Sequence, residues 1–105
     1  MASELQILVV ADAGTDPGSV AEAAALLDHL EQRWSRFLPD SDLTRLNTAA
    51  GTAIEVDSST ITLLSAMIQG WELTGGAFDP SILASLCAAG YDLSIDDDHL
   101  VTLLP

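Results

Sequence analysis

Two stretches of the chain bring together residue types that do chemistry. In T-G-G-A-F-D-P, from Thr74 to Pro80, a hydroxyl, two glycines, an aromatic ring and a carboxylate fall on nearly consecutive positions, and Asp79-Pro80 is a helix-opening pair. A loop of small residues running into a helix start presents backbone N–H groups and the positive end of a helix dipole, which suits a polar or anionic ligand. The same spacing has a plain folding account, with Gly75 as a left-handed helix stop, Gly76 as the turn and Asp79 as the next N-cap. Both accounts hold at once if one aspartate caps and binds together.

The second stretch, W-S-R-F-L-P-D-S-D-L-T-R-L-N from Trp34 to Asn47, carries an aromatic helix end, a proline turn and alternating acids. With Arg33 just before it, it gathers Arg33, Arg36 and Arg45, the whole positive charge of the chain, against Glu31, Asp40 and Asp42. One reading is a set of exposed ion pairs worth about 0–1 kcal/mol each. The other is one wall of a ligand pocket, built with Phe37 and Ser41. Asn47, close to a turn, reads as structural, because its side chain can bond neighbouring backbone.

Other candidates are weaker. Asp96-Asp97-Asp98 lacks the turn glycine and distal glutamate of a calcium loop and reads as a solvated acidic loop. His29 and His99 have no second histidine at metal spacing and no nucleophile context. Cys87, the single cysteine, sits in an apolar run and reads as a small buried hydrophobe. Trp34 and Trp71 stand at helical spacing among aliphatics, which points to core packing.

The elements that must position these groups follow from pattern. Leu5 to Val10 is a short β-branched apolar run and reads as a buried strand. Asp16-Pro17 and the Ser19-x-x-Glu22 capping box announce a helix whose apolar face is Val20, Ala23, Leu27, Leu30, Trp34 and Phe37, stopped by Pro39. A short helical turn is expected over Leu43 to Leu46, and Thr52 to Val56 reads as a second strand. Asp57 or Ser58 caps a helix buried through Ile61, Leu64, Met67, Ile68 and Trp71, ending at Gly75. A third helix spans Ile82 to Ala89 with Gly90 beyond it, and Leu100 to Leu104 reads as a last strand. The expectation is one α+β domain over residues 1–105, three amphipathic helices packed on a small sheet.

Composition narrows the partners. With Asp and Glu totalling 16 against 3 Lys plus Arg, the formal net charge of -13 argues against a phosphate-backbone partner and sets nucleic acid aside. An anionic small ligand stays open, since a helix N-terminus or a divalent cation can outweigh the distant field locally. A hydrophobic fraction of 49% suits a folded chain with a core. The apolar run near the N-terminus is too short for a membrane span or a signal core, so the expected location is cytoplasmic.

Taken in order, the two motifs resemble the N-terminal portion of the ApbE family, flavin transferases that move FMN from FAD onto a protein threonine. The resemblance covers roughly residues 5–105 and implies a T-fold-related domain. It further implies FAD, as substrate, against Ala77, Phe78 and Asp79 in one motif and Phe37 and Ser41 in the other. Family members usually carry an aromatic, often Tyr, where Phe37 stands; Phe stacks but donates no hydrogen bond. The family reaction is attack of a threonine on the FAD pyrophosphate with release of AMP, and Mg2+ is expected only in a complete domain. The magnesium ligands and the D-L-G-G-x-A-K-G stretch lie in the family's second half, and this chain has neither. The expectation is a transferase portion inactive by itself, with an acceptor flavoprotein as partner. The alternative is a non-catalytic FAD-binding or assembly half completed by another chain or by homodimerisation.

Overall fold

The protein was analysed as a computed structural model, which describes residues 5–10, 12–14, 16 and 18–92. Four helices follow one another: α1 (Gly18–Trp34), α2 (Asp42–Ala49), α3 (Ser58–Leu73) and α4 (Leu83–Ala88). They fall into two compact units, the first ending at Thr52 with α1 and α2, the second starting at Ala53 with α3 and α4.

The expected α+β class is overturned: the described residues are helical, with no strand or sheet among them. Leu5 to Val10 and Thr52 to Val56 have the composition of strands but no regular secondary structure. A strand exists only when a second backbone satisfies its N–H and C=O groups, and β-branched composition supplies the propensity without the partner. Leu8 and Val10 are accordingly 88% and 96% exposed instead of buried. Leu100 to Leu104, Asp96 to Asp98 and His99 lie outside the described residues.

The helices themselves follow local chemistry. Asp16, not Ser19, closes the start of α1: its Oδ1 accepts the Gly18 N–H at 2.9 Å, while the Ser19 N–H and hydroxyl both donate to the Asp16 carbonyl. Ala23, Leu27, Leu30 and Trp34 are the half-buried face of α1, while Val20 is 36% exposed. Phe37 is not in the helix. In a longer helix the Ser35 carbonyl would receive the N–H of residue 39, which is a proline and has none; the Ser41 hydroxyl donates to it at 2.6 Å instead. The chain therefore turns at Ser35, and α1 packs on α2 across that turn.

In the second unit Asp57 caps α3, its carboxylate accepting from the Ser59 N–H at 2.9 Å and the Ser59 hydroxyl at 2.6 Å. Both α3 and α4 end on a glycine at positive φ, Gly75 at 60° and Gly90 at 94°. At each end two backbone bonds close the Schellman pattern: Gly76 N–H to Trp71 C=O with Gly75 N–H to Glu72 C=O, and Tyr91 N–H to Leu86 C=O with Gly90 N–H to Cys87 C=O.

Burial differs from expectation too. Among the described residues no apolar side chain is buried; the buried ones are Ser41, Asp42 and Thr60. On α3, Leu64 and Met67 are half-buried, but Ile61, Ile68 and Trp71 are 54%, 58% and 48% exposed. Trp71 is thus not a core residue, and Cys87 is exposed as well. Among the described residues no helix is long and apolar enough to cross a membrane.

Candidate functional site

The turn from Ser35 to Ser41 is held by side chains bonding backbone. Ser41, 1% exposed, caps α2: its Oγ accepts the Thr44 N–H at 3.1 Å while donating to the Ser35 carbonyl. The Thr44 hydroxyl in turn donates to the Arg36 carbonyl at 3.3 Å. Ser41 therefore spans the turn, bonding to its first residue and to the helix that follows. This cap extends α2 to Asp42–Ala49, longer than the single turn over Leu43 to Leu46 that apolar periodicity suggests.

Next to the cap lies a residue that sequence reasoning undervalued. Asp42 is 0% exposed, and its Oδ1 lies 3.2 Å from Arg45 Nη1 and 3.8 Å from Arg33 Nη1. It is one carboxylate shared by two guanidiniums, and it stands at the first position of α2, where the helix dipole also favours an anion. The exposed-pair reading fails on the acid side, where the carboxylate is out of solvent, while Arg33 and Arg45 stay 41% and 45% exposed and keep part of the screening. The signal was present in the sequence as acid at N1 and Arg three residues on, but burial is not legible from spacing.

Phe37 is 40% exposed, and the Arg36 guanidinium carbon lies 4.2 Å from its ring centroid, a cation–π contact. Beside this turn a cleft of about 310 Å3 is lined by Gln32, Arg33, Leu38, Pro39, Asp40 and Ser41. Its size is at the lower end for small-molecule sites. The Arg33 Nε is buried there with no hydrogen-bond partner.

The bend between α3 and α4 is built by other means. The glycine pair at 75 and 76, with φ of 60° and 87°, reverses the chain, and the Ala77 N–H returns to the Thr74 carbonyl at 3.2 Å. The Thr74 hydroxyl accepts the Phe78 N–H at 2.9 Å and donates to the Gly70 carbonyl at 2.8 Å. The N–H groups of residues 75 to 78 are thereby spent within the bend, so the anion cradle expected from them is not free for a ligand.

What the bend presents is side chain. Phe78 is 46% exposed, and Ala77 is exposed as well. Asp79 is not the N-cap of α4; Ile82 occupies that place without a side-chain bond. The Asp79 carboxylate instead accepts from the Ser81 hydroxyl at 2.6 Å and the Ser81 N–H at 2.8 Å, forming a turn over Pro80 and Ser81 before the helix starts. Those two bonds from Ser81, the hydroxyl first, hold the Asp79 carboxyl below the usual aspartate range. Phe37 and Ser41 thus share one turn, and Ala77, Phe78 and Asp79 share one bend.

Comparison with known proteins gives one finding. The model of the ApbE family matches residues 1–99. Neither the curated proteins nor the solved structures include a match.

Proposed function

The chain belongs to the ApbE family, which carries flavin-transfer-related chemistry, and from that premise we propose that it acts on FAD, in the transfer of FMN from FAD to a threonine of an acceptor flavoprotein. In that reaction the threonine hydroxyl oxygen bonds to the phosphorus on the FMN side of the pyrophosphate. The bridging P–O bond breaks, AMP leaves with the electron pair, and the hydroxyl proton passes to solvent or a base. The part proposed for this chain is binding and orientation. Phe78 offers a ring for a planar group, Ala77 lets the ligand approach the backbone, and Asp79, ionised well into mild acid, accepts a ligand hydrogen bond. Phe37, 40% exposed, and the polar cleft beside Ser41 are proposed as a separate surface able to meet a nucleotide, with the buried Ser41 acting by holding that turn in place.

The observation that supports this most is that Phe78 stands half-exposed on a bend whose backbone is tied at every residue from Gly75 to Phe78. Phe78 is thereby held at a fixed place on the surface, where a planar ligand group can reach it.

Magnesium belongs to the family chemistry, but among the described residues no three His, Cys, Asp or Glu side chains form a group able to hold a metal ion. The described residues do not fit a metal centre. A second reading, a non-catalytic FAD-binding or assembly half completed by another chain or by a second copy, is favoured by the exposed Ile61, Ile68, Trp71 and Leu73 along α3.

Titrating FAD into the chain while following Trp fluorescence tests the proposal. The expected result is saturable quenching with affinity of about micromolar or weaker, because open walls cannot enclose a dinucleotide. Absence of saturable binding contradicts the FAD reading, and submicromolar affinity contradicts the open-wall account. Supplying an acceptor flavoprotein and Mg2+ then separates the two readings: covalent FMN on the acceptor with AMP release supports the transferase, binding without transfer the second reading.

A further inference from the structure

Gly70, in the last turns of α3, and Thr74, at its C-cap, decide where the Phe78 ring stands. Gly70 lies directly under it: a Cβ built on Gly70 would come 3.2 Å from Phe78 Cδ1, tighter than ordinary van der Waals contact, and 3.4 Å from Cε1. The ring therefore rests on bare backbone, at a helix-interior position where glycine is otherwise unfavourable. Thr74, one turn on, fixes the other end of the residue, its hydroxyl receiving the Phe78 N–H at 2.9 Å. That hydroxyl donates to the Gly70 carbonyl at 2.8 Å, a carbonyl that also receives the Thr74 N–H at 3.2 Å. Ring and amide of Phe78 are thus both referred to a single turn of α3.

We infer that Gly70 and Thr74 are positioning residues for the flavin, a seat that sets the Phe78 ring through one missing side chain and one hydroxyl. This rests on the FAD reading above. The hydroxyl matters as a two-way hydrogen-bonding group, accepting and donating at once, so serine can replace it and the isosteric valine cannot. Glycine at 70 matters by volume, so alanine there displaces the ring by a few tenths of an ångström while making the helix interior more favourable.

The test uses the full chain as T74S, T74V and G70A, with three readouts: FAD affinity, melting temperature and hydrogen exchange at the Phe78 amide. T74S is expected to keep FAD affinity within about twofold, and T74V to weaken it by about fivefold, the equivalent of one lost hydrogen bond. G70A is expected to weaken FAD binding while melting no lower than the parent, a combination a purely structural role does not produce. Exchange at Phe78 accelerates in T74V and not in T74S. The inference is overturned if T74V leaves Phe78 exchange unchanged, or if T74V and G70A bind FAD as the parent does. Should the parent bind no FAD, the FAD reading and the flavin role of the seat both fail. Phe78 exchange in T74V against T74S then decides the geometric part alone.

Discussion

The two bends that carry the family motifs are fixed by opposite means. Between α1 and α2 the chain is tied by side chains reaching into backbone, and its polar anchors, Ser41 and Asp42, are buried. Between α3 and α4 the tie is mostly backbone to backbone, through two glycines at positive φ, and the side chains are left outside. A turn of the first kind is sensitive to chemistry at a few named atoms; one of the second kind is sensitive first to backbone conformation, with the Thr74 hydroxyl as its side-chain tie. The contrast also says where a ligand can touch. The first bend offers a cleft at its flank, and the second offers an exposed ring on a stiff support.

The sharpest way to break the first bend is D42A, which leaves Arg33 and Arg45 without the buried carboxylate they share. Because both arginines are part-exposed, we expect a loss of about 2 kcal/mol in urea unfolding, and a loss below about 1 kcal/mol would mean Asp42 contributes no more than a surface pair. S41A should come next, at about 1 kcal/mol, since it removes the α2 cap on the Thr44 N–H and leaves the Ser35 carbonyl only the longer bond from the Leu38 N–H. In the second bend G75A should cost about 1 kcal/mol from its positive φ alone, because a Cβ there meets nothing within 4 Å. Equal costs for G75A and an exposed-helix Ala substitution would show that the φ imposes no constraint.

The smallest effect is electrostatic. A carboxyl whose folded pKa is depressed contributes stability that is present above its unfolded pKa and lost as pH falls through the folded one. Asp79 is of this type, so its NMR titration midpoint should lie below the usual aspartate range, and S81A should move it back up. A midpoint unchanged by S81A would mean the Ser81 bonds are not its cause.

What could be read from the sequence was what depends on a few consecutive residues. Asp57, one of the two caps expected, Gly75 and Gly90 as helix ends, and Ala23, Leu27, Leu30 and Trp34 of the expected α1 face are all local, and all are found; Val20 and Phe37 of that face are not. Leu5 to Val10 and Thr52 to Val56 went astray because a strand is a relation between two backbones, and composition reports on only one. Phe37 was placed one turn too far along the helix for a subtler reason. Pro39 acts on the carbonyl four residues earlier, so the chain leaves the helix at Ser35 instead of at the proline. In the candidate site the exposed Phe78 was legible as part of its motif. Asp42, Gly70 and Thr74 were not, since their importance lies in burial and in contacts between turns.

The central claim, that the Ala77–Asp79 bend is a contact surface for a flavin nucleotide, is tested most directly by amide NMR of the chain titrated with FAD. The account predicts saturable shifts concentrated at residues 77–79. Saturable shifts that leave residues 77–79 unmoved would contradict it.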